Sequence, residues 1–194
     1  GRGTSSRRRW LLILLATLLL FSLLWLAGRL LNERSAAPAA TQIYADYVNL
    51  PDELPENILL RSGQAAPPSI EAPLRQNWSA VNEAYRKGNY EQALALLENL
   101  PSLDPDFVEE NPGTYHYYRG LLQLRLKRPA AAADSFTRVQ SGNYAEDAAW
   151  KRAMALLLVE ERQEEAREIL RRIGNTLHPR REEALEVLEK LKRQ

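Results

Sequence analysis

The chain has 194 residues, length for one domain of ordinary size, and its 45% hydrophobic and 26% charged side chains are globular usage rather than disordered or fibrous. Cysteine is absent, which removes disulfides, thiolate metal sites and cysteine nucleophiles. Only His116 and His178 supply imidazole, and neither neighbours a second ligand at metal spacing, so no metal, cofactor or catalytic site is expected and the chain is not expected to be an enzyme. The net charge of +1 conceals an asymmetry. Five arginines and no acid lie in residues 1–31, leaving 21 basic against 25 acidic side chains in the remainder. A mildly acidic body is a poor partner for nucleic acid.

The first element is an apolar run. Trp10 to Ala27 reads WLLILLATLLLFSLLWLA, without charge, Gly or Pro. At 1.5 Å per residue such a helix is about 27 Å long, close to the roughly 30 Å of a bilayer's hydrocarbon. Its ten Leu with Ile13 and Phe21 give about −4 to −7 kcal/mol for insertion. Residues 10–31 are therefore expected to be a transmembrane anchor that contacts the lipid bilayer. Four arginines before the run and Arg29 and Arg34 after it place residues 1–9 in the cytoplasm as a short stub and the rest across the membrane. Ser35-Ala36-Ala37 offers a cleavage site for the rival reading, a cleaved signal peptide.

Residues 32–73 read as an extracytoplasmic stem. Ser35 to Ala40 has linker composition, and Ala65-Ala-Pro-Pro68 has the polyproline character of a second hinge. Between them Ile43, Tyr44, Tyr47 and Leu50 share one helical face ahead of Pro51. That pattern predicts a short helix packed on the main domain, with a docking peptide for another protein as the alternative.

From Leu74 onward the pattern changes to helix pairs. Gly88-Asn89-Tyr90 marks a tight turn, with Gly in the left-handed position that ends a helix. Three segments align on Ala93, Ala132 and Ala166. Four residues later come Leu97, Phe136 and Leu170, and three further on Leu100, Val139 and Ile173, which gives each second helix one apolar stripe. The spacings are 39 and 34 residues, and the excess falls in DFVEENPGTY, expected to be a loop. A final amphipathic segment from Arg180 to Lys192, with Ala184, Leu185, Leu188 and Leu191 as its stripe, is expected to cap the array.

On these residues the segment 74–179 resembles three tetratricopeptide repeats (TPRs), whose period is 34 residues. Trp78, Ala93 and Leu103-Asp104-Pro105 fall at or near consensus places in the first repeat. Gly120, Ala132 and Phe136 do so in the second, where His116 takes the Trp place, and Trp150, Ala166 and Pro179 in the third. The resemblance implies an all-α fold: an α-solenoid of three helix pairs with a capping helix over residues 74–194. It also implies that the first helices line a groove for protein partners, either peptide segments or membrane-complex subunits. The inward positions fall on Asn82, Tyr85, Arg86, Tyr117, Leu121, Arg125, Lys151 and Arg152. Rings beside cations suit an extended peptide with acidic groups. The bland alternative is that Tyr and Leu pack between helices while Arg is solvated. Some family members clamp a terminal carboxylate with two Asn; Asn82 matches one of them, and Leu121 stands in place of the other.

His116 is expected to be packed and hydrogen-bonded, and the Glu160–Arg172 charge run to be a solvated face. The layout is similar to bacterial membrane-anchored TPR proteins, those associated with the Sec translocon and with cytochrome c maturation among them, and to small Bacteroidota proteins with one anchor, an aromatic stem and a carboxy-terminal repeat domain. It implies a single-pass protein of the bacterial inner membrane with a periplasmic repeat domain that acts as a scaffold, assembly factor or accessory subunit. The alternative is an anti-sigma-like regulator that relays a periplasmic signal to a cytoplasmic partner.

Overall fold

The computed structural model describes residue 22, residues 39–54 and residues 68–193, with Asp104 and Asn111 omitted. The chain divides into two units, residues 1–40 and 41–194, and the second holds nearly all the described residues. The expected anchor lies outside the described residues except for Ser22. Among the described residues no helix is long and apolar enough to cross a membrane.

Every regular element among the described residues is helical. Helix α1 spans residues 39–47. It is followed by α2 (Pro68–Arg86), α3 (Tyr90–Glu98), the short α4 (Leu100–Leu103) and α5 (Pro105–Glu110), then α6 (Pro112–Arg125) and α7 (Pro129–Thr137). Next come α8 (Ala145–Leu157), a 3-10 turn at Glu160–Arg162, α9 (Gln163–Gly174) and α10 (Arg181–Lys192). Contacts run between neighbours in sequence: α2 with α3, α6 with α7, α7 with α8, α8 with α9, and α9 with α10.

Small residues set the close approaches. Ala93, Ala132 and Ala166 are all 0% exposed, and the stripe residues Leu97, Phe136, Leu170, Leu100, Val139 and Ile173 are buried with them. Gly120 on α6 lies against α7 so closely that a Cβ there would stand 2.6 Å from the Phe136 ring. The two residues are therefore complementary: the ring fills the space that a side chain at 120 would take.

Two turns close helix pairs in the same way. After α2, Asn89 N–H donates to the Ala84 carbonyl and Gly88 N–H to that of Tyr85, with Gly88 at φ +76°. After α6, Arg128 N–H donates to Gln123 and Lys127 N–H to Leu124, with Lys127 at φ +56°. Both are Schellman closures, which satisfy the last carbonyls of a helix through one left-handed residue. The second uses a lysine where the first uses glycine. No side chain caps α3, α7, α8 or α9; acidic residues occupy the first turns of α3 (Glu91), α8 (Glu146 and Asp147) and α9 (Glu164 and Glu165), and Pro129 opens α7. Negative charge there complements the positive end of the helix dipole.

Four expectations need correction. The helix pairs begin at Pro68, not at Leu74: Pro68 is the first residue of α2, where a missing N–H costs no intrahelical bond, and Pro73 is carried inside it. The segment expected to be a loop, residues 106–115, instead holds most of α5 and the start of α6. Helix α1 ends at residue 47, so Leu50 lies beyond it in non-helical chain. In α10 the buried stripe is Ala184, Val187 and Leu191, while Leu185 is 43% exposed. The remainder of the proline hinge, residues 65–67, is outside the described residues.

Candidate functional site

The side chains expected to line a groove lie on α2, α6 and α8, and three of them grip the protein's own stem. Asn82 holds Leu54 at two points: its Oδ1 accepts from the Leu54 N–H at 3.1 Å and its Nδ2 donates to the Leu54 carbonyl at 2.8 Å. An amide side chain offers a donor and an acceptor at the spacing that one extended residue presents, so this contact recognises backbone rather than side-chain identity. Tyr85 donates its hydroxyl to the Pro51 carbonyl at 2.6 Å. Arg125 donates to that carbonyl at 2.6 Å, to the Leu50 carbonyl at 3.2 Å, and through Nε to the Tyr85 hydroxyl at 3.0 Å. The Arg125 guanidinium also sits 5.5 Å from the Tyr85 ring centre and 5.6 Å from that of Tyr90, a cation–π arrangement that holds its plane.

The segment continues across the other helices. The Tyr47 carbonyl accepts a long bond of 3.4 Å from the Trp150 indole on α8, and its ring meets the indole edge-on at 6.3 Å. The Tyr47 hydroxyl accepts from Lys190 on α10 at 2.9 Å. Residues 41–54, called the strap below, thus touch α2, α6, α8 and α10. Ile43 and Leu54 are its buried side chains in this unit, and Tyr44, Tyr47 and Leu50 are half-buried. Burial pushes the Tyr85 hydroxyl above its ordinary pKa while the hydrogen bond and charge of Arg125 draw it down. The hydroxyl therefore remains a neutral donor at physiological pH.

The other expected groove residues are engaged elsewhere. Tyr117 donates to Asp147 at 2.5 Å and stacks on Tyr144 at 4.4 Å. Lys151 reaches the same Asp147 oxygen at 2.7 Å with its side chain only 7% exposed. Burial and Asp147 together raise the Tyr117 pKa well above its usual range, so the ring acts as a neutral donor. Leu121 is fully buried, which makes it core. Arg152 pairs with Glu165 on α9, and Arg86 is exposed and pairs with Glu83 at 2.5 Å. Tyr117 and Leu121 thus pack within the array, whereas Asn82, Tyr85 and Arg125 engage the main chain of the protein's own stem.

An aromatic series links the pairs behind this face. Trp78 meets Tyr118 edge-on at 5.3 Å, and the Tyr118 hydroxyl shares a 2.8 Å hydrogen bond with Tyr144. His116 packs against Tyr115 and is 9% exposed, but its buried Nδ1 has no hydrogen-bond partner, contrary to expectation. Burial, reinforced by Arg138 and Arg119, lowers its pKa to about 4. In the charge run, Glu164 pairs with Arg167 and Arg171 in an exposed setting, whereas Glu165 is clamped between Arg162 and Arg152. Among the described residues no group of three or more His, Asp or Glu side chains stands where a metal ion could sit.

Comparison of the chain with protein families, with curated proteins and with solved structures returns no match. The geometry of the face is therefore the basis for a functional reading. What reasoning on the sequence missed is the occupant. The polar partners are separated by 28 residues for Asn82 and Leu54 and by 74 for Arg125 and Pro51, distances at which no local pattern connects them.

Proposed function

We propose that the chain is a membrane-anchored tetratricopeptide-repeat protein whose helical domain binds other proteins, as a scaffold, assembly factor or accessory subunit of a membrane complex. The repeat assignment is supported by the shared register of Ala93, Ala132 and Ala166, by the fit of Gly120 to Phe136, and by helix pairs that pack on their sequence neighbours. The apolar run at 10–27 and its flanking arginines support the anchor and a repeat domain on the far side of the inner membrane.

The observation that carries the binding function is the two-point contact of Asn82 with the main chain of Leu54, joined by Tyr85 and Arg125 on the Pro51 carbonyl. Three side chains on two helices recognise the backbone of a non-helical segment. That is the chemistry needed to hold a peptide from another protein.

The test is site-specific photocrosslinking in intact cells from position 86, one residue beyond Tyr85 and exposed, followed by mass spectrometry. Position 117 is unsuitable, because Tyr117 is buried against Asp147. One dominant protein adduct that disappears in Arg125→Glu is the expected result. Adducts indifferent to Arg125→Glu, or none, would contradict a binding role for this face.

A further inference from the structure

The segment on the face belongs to the chain itself, and the manner of its attachment has consequences. Its bonds to α2 and α6 run from side chains of the array to main-chain atoms of the strap. Its two acidic side chains contribute little there: the Asp52 side chain is fully exposed and 3.8 Å from Arg125, and Glu53 is exposed. The strap does not cover the whole of the surface beside it. A cavity of about 410 Å³ opens between Thr41 and Tyr44 of the strap and Leu124, Lys127, Pro129 and Leu158 of the array. Elsewhere Leu97, Leu121, Leu122, Met154 and Leu156 are 0% exposed. A segment with few buried apolar anchors and an open cleft at its edge opens at lower free energy than the helices it lies on.

We propose that the strap is an intrasteric occupant: it holds the binding face closed, and the partner's binding segment displaces it. This rests on the reading of the face as a peptide-binding site and adds the class of ligand. The strap indicates what the face accepts. A non-helical segment of the form Leu-Pro-acidic-acidic-Leu, bent at its two acidic residues, presents two successive carbonyls to Arg125 and Tyr85, and three residues after the proline a leucine that is buried while Asn82 holds its backbone. An aromatic residue four places before the proline meets Trp150 and Lys190. Cations at Arg125 and Lys190 favour acidic segments over basic ones. Because the strap is tethered, it competes at an effective concentration on the order of millimolar. A partner succeeds by filling the cleft beside Tyr44 or by being held nearby in the same complex.

The test uses the full chain in detergent micelles and a fluorescein-labelled peptide of residues 43–54 as the probe, with binding read by anisotropy. Three forms are compared: wild type, a strap-released variant (Y47A with L54D), and that variant with N82A added. Melting curves establish that each is folded. The released variant is expected to bind the peptide at least 10-fold more tightly than wild type, and N82A to remove most of that gain. Where the released variant fails to fold, hydrogen exchange at the Leu54 amide of the wild-type chain replaces it. Excess unlabelled peptide is then expected to accelerate that exchange several-fold while the Leu122 amide is unchanged. Equal affinity of wild type and released variant, no binding by a folded released variant, or Leu54 exchange that responds only to global unfolding would each overturn the proposal. If the peptide fails in these ways while the adduct from position 86 persists, the strap proposal falls and the binding function stands. If the peptide displaces the strap but no adduct forms, the face recognises the strap's chemistry and the proposed interaction with another protein falls.

Discussion

The two sides of the helical array are held by different physics. Where second helices meet first helices, contact is apolar and shape-based: Ala93, Ala132 and Ala166 admit a neighbouring helix, and Gly120 admits the Phe136 ring. On the strap side, contact is polar and directional, made by Asn82, Tyr85 and Arg125 with carbonyls and one N–H. The apolar seam tolerates no added volume. The polar face recognises main-chain groups, which belong to every peptide. An array of this kind can be rigid along its seam and open on its face.

The seam should break hardest. Ala132→Glu places a carboxylate where no water reaches, and Gly120→Val drives a side chain into the Phe136 ring. Each is expected to cost on the order of 3 kcal/mol or more and to lower the melting temperature sharply or abolish the transition. Unchanged melting of Ala132→Glu would show that the helix register is wrong. On the polar face, Asn82→Ala removes two hydrogen bonds to a half-buried main chain and is expected to cost about 1–3 kcal/mol, measured by urea denaturation. The contrast between these magnitudes is itself the comparison in numbers.

A third effect depends on pH. His116 titrates near 4 in the folded chain and near its ordinary 6.5 when unfolded, so between these values the unfolded state binds more protons. Stability is therefore full above about pH 6.5 and declines as pH falls toward 4. In urea titrations across that window, His116→Phe should flatten the decline, and a variant as pH-sensitive as wild type would show that His116 is not its source. Smaller again is the difference between the two Schellman turns. Lys127 sits at φ +56°, where glycine is unstrained, so Lys127→Gly should raise stability by up to about 1 kcal/mol, whereas Gly88→Ala should lower it by a similar amount. Loss of the exposed Arg171–Glu164 pair through Arg171→Ala should leave the melting temperature essentially unchanged.

How much of this was legible in the sequence follows the same division. The seam is written in periodicity: a small residue with apolar residues four and seven places later marks a buried stripe wherever it occurs, and all three stripes are buried. Gly88 announced its turn, but Lys127 adopts the same conformation without a glycine to mark it. Prolines misled in both directions. Pro68 suggested a hinge yet opens α2, and Pro112 opens α6 in a segment taken for a loop, since a proline in the first turn has no bond to lose. In α10 the choice between Leu185 and Val187 depended on how that helix is rotated about its axis, which hydrophobicity alone left open. The face was legible only in its residue types. Asn82, Tyr85 and Arg125 were singled out by position, but so were Leu121, which is core, and Arg152, whose partner Glu165 lies on the next helix. Which polar side chain finds which carbonyl is decided by tertiary placement.

The central claim is that Asn82 holds the strap on the array through the backbone of Leu54. Hydrogen exchange at the Leu54 amide, in wild type and in Asn82→Ala, tests it most directly. The account predicts a protected Leu54 amide in wild type and protection lost in Asn82→Ala, with the amides of Leu97 and Leu122 still slow in both. A Leu54 amide that exchanges as freely as an exposed loop in wild type, or one whose protection survives Asn82→Ala, would contradict it.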